Sequence, residues 1–190
     1  NTAGVKMVEP STAYDAKGLI KAAIRDPDPV LYFEHKKLYR LPRLREEIPA
    51  DDYIVEIGKA RTVRAGRDLT IITFGAMVLT ALDAAEELEK EGLDVEIVDL
   101  RTLAPLDRPA ILESVKKTSR ALILHEASQT GGIGGEIAAL ISAEAFEWLD
   151  APVLRLASID TPVPYSPPLE DYYLPQVKDV LHAARKLVAY

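Results

Sequence analysis

Apolar positions change their period along this chain, and each change marks a strand or a helix. Leu69-Thr-Ile-Ile-Thr-Phe74, Val95-Glu-Ile-Val-Asp-Leu100 and Ala121-Leu-Ile-Leu124 are short, nearly continuous apolar runs. Such runs predict strands buried on both faces, as in a parallel sheet. Between them the spacing turns helical: Val78, Ala81, Leu82, Ala85 and Leu88 recur along one face, and Gly92 closes that helix. Asp107 is placed to cap a second helix, with Pro109 in its first turn and Ile111, Leu112 and Val115 inward. Ile133, Ile137, Leu140, Ile141 and Trp148 predict a long third helix, and 153–157 a last strand. Val177, Val180, Leu181, Ala184, Leu187 and Val188 predict an amphipathic C-terminal helix, and residues 60–63 a short edge strand. Strands alternating with helices predict a three-layer α/β/α fold with a five-stranded, mostly parallel sheet.

A smaller unit precedes that fold. Residues 5–8 read as a strand ended by Pro10. Ser11 or Thr12 caps a helix carrying Ala16, Leu19, Ile20 and Ala23, with Asp15 near its positive end. Asp26-Pro-Asp-Pro29 stops the helix, since a residue before proline is pushed to extended geometry. Residues 30–34 are the second strand of a partial βαβ unit, too small to make its own core. Residues 36–52 keep no period; Pro42, Pro49 and mixed charge mark a linker.

Composition narrows the function. The 190 residues carry a formal charge of −7, which argues against a nucleic-acid partner. Lys36, Lys37, Arg40, Arg43 and Arg45 form a local basic run, but Glu46 and Glu47 follow at once, and the run reads as a solvated linker. No apolar stretch is long enough to cross a bilayer, so no membrane partner is expected. The chain has no cysteine, which excludes disulfides and thiolate chemistry and points to the cytoplasm. Asn and Gln are scarce (Asn1, Gln129, Gln176) beside abundant Glu, Lys and Arg, a thermophile-like balance. The chain opens without an initiator Met and reads as cut or processed upstream.

The candidate chemistry is sparse. Gly131, Gly132, Gly134 and Gly135 open a helix after a strand, a place suited to phosphate. The loop follows a late strand and has no Gly-Lys-Ser/Thr, so it reads as a tight turn or a partner surface. Arg101 ends a buried strand; its guanidinium suits a phosphate or carboxylate, or an ion pair with Asp99 or Asp107. His125 stands beside Glu126, but no nucleophile motif accompanies them. Neither His35 nor His182 is given a catalytic role, and the three histidines show no metal spacing. Asp26 and Asp28, with the freed carbonyls of a helix end, make an oxygen-rich turn that suits a hard cation.

Several segments nevertheless resemble the β subunit of the thiamine-diphosphate-dependent E1 component of 2-oxo acid dehydrogenases, of pyruvate or branched-chain type. They are Pro10-Ser-Thr-Ala-Tyr-Asp-Ala-Lys-Gly-Leu19, Asp28-Pro-Val-Leu-Tyr-Phe-Glu34, Leu38-Tyr-Arg40, Glu46-Glu-Ile-Pro49, Val98-Asp-Leu-Arg-Thr-Leu103, Ser114-Val-Lys-Lys-Thr118, His125-Glu-Ala127, Asp160-Thr-Pro162 and Tyr173-Leu-Pro175. They occur in the family's order and span nearly the whole chain.

The resemblance implies that residues 1–36 are the tail of a pyrimidine-binding domain. It makes 37–56 a linker and 57–190 a transketolase C-terminal-like domain whose first strand is antiparallel. It implies oxidative decarboxylation of a 2-oxo acid with acyl transfer to lipoyl on E2. The family's activating glutamate and active-site histidine lie upstream, and its Gly-Asp-Gly motif belongs to the α subunit. No catalytic or cofactor-binding residue is therefore expected here. Thiamine diphosphate and Mg²⁺ belong to the intact heterotetramer, and this stretch alone is expected to be inactive.

The resemblance further implies potassium at Ala23, Asp26 and Asp28. The implied partners are an E1 α subunit, a second E1 β subunit and the E2 subunit-binding domain, with Arg101, His125, Gly131, Gly132 and Tyr190 at interfaces. The alternatives are a non-catalytic assembly module and the C-terminal domain of another transketolase-superfamily enzyme.

Overall fold

In the computed structural model, which describes residues 2–190, strands and helices alternate as the apolar periods demand. The elements run β1 (Lys6–Val8), α1 (Ala13–Arg25), β2 (Val30–Tyr32), β3 (Arg61–Arg64), β4 (Leu69–Thr73), α2 (Met77–Lys90), β5 (Val95–Asp99), β6 (Thr102–Ala104), α3 (Arg108–Thr118), β7 (Ala121–Ser128), α4 (Ile133–Glu144), β8 (Leu154–Ser158), α5 (Pro167–Tyr173) and α6 (Val177–Val188). The main sheet has the order β3-β5-β4-β7-β8. Its members pair in parallel except β3, which runs antiparallel to β5.

Successive strand residues point to opposite faces, so the apolar runs feed two cores. Ile71, Ile97, Leu122 and Leu124 join Ala81, Ala85, Val180, Ala184 and Leu187 of α2 and α6 on one face. Ile72, Ile123 and Leu100 join Ile111, Val115, Ile137 and Ile141 of α3 and α4 on the other. The three layers and the antiparallel first strand agree with the expectation. The caps also fall as read: Thr12 Oγ1 accepts from Asp15 N at 3.1 Å, and Asp107 Oδ1 from Ala110 N at 3.3 Å.

Three features depart from the expectation. The helix meant to reach Trp148 stops at Glu144; a 3-10 turn over Phe146–Trp148 follows, and the Trp148 ring lies under Lys116 Nζ at 4.0 Å. A short helix, α5, forms in the proline-rich stretch before α6. Most consequential is β6, which leaves the main fold and pairs antiparallel with β1, giving a second sheet ordered β2-β1-β6.

The N-terminal unit is thus completed from outside itself. Its small core joins Val8 and Leu19 to Val55 from the end of the linker. Tyr53 stacks on Tyr14 with ring centroids 4.4 Å apart, and its hydroxyl donates to the Tyr14 carbonyl at 2.9 Å. Val55 comes so close to α1 that only glycine fits at Gly18.

Candidate functional site

The ends of β1, β4, β6 and β7 meet where the two sheets join, and the turn after β5 organises the junction. Arg101 adopts the left-handed conformation (φ 53°). That costs a non-glycine residue roughly 1–2 kcal/mol and persists only where surroundings fix it. Here its N–H donates to Asp99 Oδ1 at 3.0 Å, and its guanidinium donates to the Lys59 and Ala60 carbonyls at 3.1 and 3.2 Å. The last partner is Asp15 Oδ1 on α1, at 2.9 Å. Asp15 is fully buried, and Thr12 Oγ1 also donates to it. Ser11 Oγ reaches Asp99 Oδ2 at 2.5 Å in the same junction. Burial pushes the Asp99 carboxyl up to about 6 despite these donors. Arg101 therefore ties α1 to the main sheet; its guanidinium pairs with Asp15 rather than with Asp99 or Asp107.

His125 turns inward too. It is fully enclosed, with its ring nearly parallel to Phe74 at 6.4 Å, and neither ring nitrogen finds a hydrogen-bond partner. Burial pushes its pKa below the ordinary histidine value. Its Nε2 edge lies under the glycine loop: a Cβ on Gly134 would stand 2.5 Å from Nε2, and one on Gly132 3.2 Å away. The glycines thus let the loop settle onto a histidine. Gly131 takes φ 76° and is exposed. The loop's other side is tied down by Thr130, whose N–H and hydroxyl donate to Asp160 at 2.9 and 2.6 Å.

Above this loop opens a cleft of about 690 Å³ between the two sheets. Met7, Phe33, Phe74, Leu103 and Ile133 give it apolar walls, and Glu9, Glu126 and Glu136 give it charge. Among the described residues, none that lines it is basic. Glu9 follows β1 and presses its carboxyl against Gly75, where a Cβ would collide with it. Burial, then the neighbouring Glu126 charge, push the Glu9 carboxyl up to about 7. Glu126 is held at 3.1 Å by His35 Nε2, whose pKa rises chiefly through that hydrogen bond. Sequence patterns did not single out Glu9, because a lone glutamate after a strand carries no motif.

The Asp26–Asp28 turn already holds a cation. Lys6 Nζ lies 2.7 and 2.8 Å from the two Asp26 oxygens and 3.0 Å from Asp28 Oδ2. The hydrogen bond from Lys6 holds the Asp26 carboxyl below its usual range. Both carboxylates are therefore engaged. Among the described residues, no three His, Asp or Glu side chains group as a metal site, and no helix is long and apolar enough to cross a membrane. Tyr190 is exposed at the chain end, far in sequence from the other candidates.

Residues 58–180 match the family model for the transketolase C-terminal domain. Over its whole length the chain is 50% identical to the 2-oxoisovalerate dehydrogenase subunit beta of Bacillus subtilis. Over 98% of its length it is 51% identical to the pyruvate dehydrogenase E1 component subunit beta of the same organism, and 47% identical to that of Rhizobium meliloti. It spans 58%, 57% and 40% of those relatives' lengths. Among solved structures it is similar to one described as a split-gene transketolase in an inactive beta4 tetramer. That likeness has a TM-score of 0.78 and 28% identity, covering 98% of this chain and 58% of the other.

Proposed function

The chain belongs to the transketolase C-terminal domain family, and on that premise we propose that it is part of the E1 β subunit of a 2-oxo acid dehydrogenase. What carries the reading is identity near one half, along essentially the entire chain, to both pyruvate- and 2-oxoisovalerate-type β subunits. In this reading residues 1–36 end a pyrimidine-binding domain, 37–56 are the linker, and 57–190 form the C-terminal domain. Its partners are a cytoplasmic E1 α subunit, a second E1 β subunit and the E2 subunit-binding domain. Gly131 and Tyr190, which are exposed, and the half-buried Gly132 are its candidates for those contacts, while Arg101 and His125 act from beneath by shaping the loops.

Thiamine diphosphate and Mg²⁺ fit the intact heterotetramer rather than this stretch. An acidic cleft with no cation among the described residues of its lining repels a diphosphate. The chain's own part is structural: Arg101 fixes the two sheets, and His125 supports the loop beside the cleft.

The test is to co-express the polypeptide that carries this chain with an E1 α subunit. Assays then follow lipoyl-dependent decarboxylation of pyruvate and of 2-oxoisovalerate. Co-purification with turnover of one substrate is the expected result. No activity on either, with thiamine diphosphate and Mg²⁺ present, rejects the enzyme reading. It would favour a second one, an assembly module, for which the likeness to an inactive beta4 tetramer speaks.

Potassium at Ala23, Asp26 and Asp28 is proposed to rest on backbone carbonyls, because Lys6 engages both carboxylates. Exchanging K⁺ for Na⁺ should then leave the wild-type melting temperature within about 1 °C, a stability change of a few tenths of a kcal/mol. Lys6→Met should make melting sensitive to cation identity. A large K⁺ dependence in the wild type would contradict this arrangement.

A further inference from the structure

We propose that His35 and Glu126 form a proton-operated clasp, which holds the outer strand of the small sheet to the main fold and releases it as the pH rises through neutrality. That sheet has the order β2-β1-β6, so β1 is the strand that pairs with the main fold's β6. Among the described residues, β2 is the outer strand and pairs with β1 alone. His35 follows β2 and reaches across the junction, with Nε2 3.1 Å from Glu126 Oε2 near the end of β7.

Among the described residues, the ion pairs that join residues 2–36 to the main domain are Arg101 and Arg61 with Asp15, and His35 with Glu126. A guanidinium keeps its charge at any pH the protein meets, whereas an imidazole loses its charge near neutrality. The unit is therefore fixed along β1 and at the start of α1, and held conditionally at the end of β2. Glu126 also lines both the cleft and the groove beside residues 35–37, so release frees a side chain of the wall between them.

The surrounding charges give the clasp its direction. The Glu126 hydrogen bond raises the His35 pKa most, Glu9 adds to it, and burial and Lys37 oppose it. Lys36, Lys37, Glu170, Asp171 and Tyr173 line the groove on the far side of His35. Glu9 faces Glu126, His35 and Asp99, and burial, then Glu126, push its carboxyl up to about 7. Groups raised in the folded state stabilise it fully below their unfolded values and lose that effect as pH rises through the folded ones. For Glu9 the loss runs from 4.5 through about 7, and for His35 it begins above 6.5. At mildly acid pH a charged His35 thus grips Glu126 beside a neutral Glu9. At alkaline pH a neutral imidazole stands beside two carboxylates that repel each other.

The experiment is amide hydrogen exchange by NMR at about pH 6 and about pH 8.5, corrected for intrinsic rates. The Phe33 N–H, which donates to the Val8 carbonyl at 2.9 Å, reports release of β2. The Thr70 N–H, which donates to the Arg120 carbonyl at 2.9 Å, is the reference in the main sheet. Protection of Phe33 relative to Thr70 is expected to fall at least about ten-fold between the two conditions, the effect of one unit of pKa difference. His35→Gln should abolish most of that fall, and Glu9→Gln should retain it. A ratio that does not change with pH in the wild type overturns the proposal without any variant. So does a fall that survives in His35→Gln, or one that disappears in Glu9→Gln and so belongs to Glu9 alone. No turnover is measured, so the clasp stands or falls apart from the enzyme reading.

Discussion

Arg101→Ala is expected to destabilise the protein by about 3–5 kcal/mol, the range seen when one partner of a buried ion pair is removed. The reason lies on the other side of the pair. Asp15 is fully buried, and without Arg101 its nearest positive charge is Arg61, at 3.5 Å. The loss also strips the Lys59 and Ala60 carbonyls of their donor. Arg101→Gly separates the two roles of the residue. It relieves the φ of 53° but still removes the guanidinium, so it should recover only about 1–2 kcal/mol of the deficit. Urea unfolding of the three proteins measures both differences. A cost below about 1 kcal/mol for the alanine variant would mean that the pair is not what joins the sheets.

The second large effect is a reversal of sign. Glycine to alanine inside a helix ordinarily stabilises by about 0.5–1 kcal/mol. Gly134→Ala in α4 should instead destabilise by about 1–3 kcal/mol, the usual cost of overpacking. The new methyl would stand 2.5 Å from His125 Nε2, 2.8 Å from Cδ2 and 3.3 Å from Ile123 Cγ2. His125 cannot retreat, because it is wholly enclosed. In a His125→Ala background the clash disappears, and the same substitution should become neutral or favourable. A double-mutant cycle on thermal melting reads the coupling directly. Additive effects would show that the histidine is not what holds glycine in place.

The elements that residue patterns revealed are those with one clear local cause. The buried runs of β4, β5 and β7 admit no other period, and Thr12 and Asp107 are caps by side-chain chemistry alone. The features that stayed hidden depend on distant residues. β6 is three residues long, too short for an alternating pattern, and becomes a strand only because β1 offers an edge. Asp15 reads as a favourable charge at a helix start; its partner Arg101 stands 86 residues away. The Asp26–Asp28 turn announces an affinity for cations, but which cation fills it depends on Lys6, brought there by β1 pairing with β2. Trp148 kept helical spacing across a break at Ala145 that spacing could not reveal. Among the candidate residues, the resemblance pointed to Arg101 and His125 as surface contacts. Their strand-end positions are consistent with that, and only burial distinguishes a side chain that faces a partner from one that faces its own core.

The borrowed strand has a consequence in time. During synthesis, β1, α1 and β2 leave the ribosome well before β6 exists. Until residue 104 has emerged, β1 presents one bare row of amide and carbonyl groups, and Asp15 has no Arg101 to neutralise it. At translation speeds of about 5–20 residues per second, the ~70 residues between β2 and β6 take roughly 4–14 s. The sheet that β1 and β2 begin can therefore close only after β3, β4 and β5 have been made.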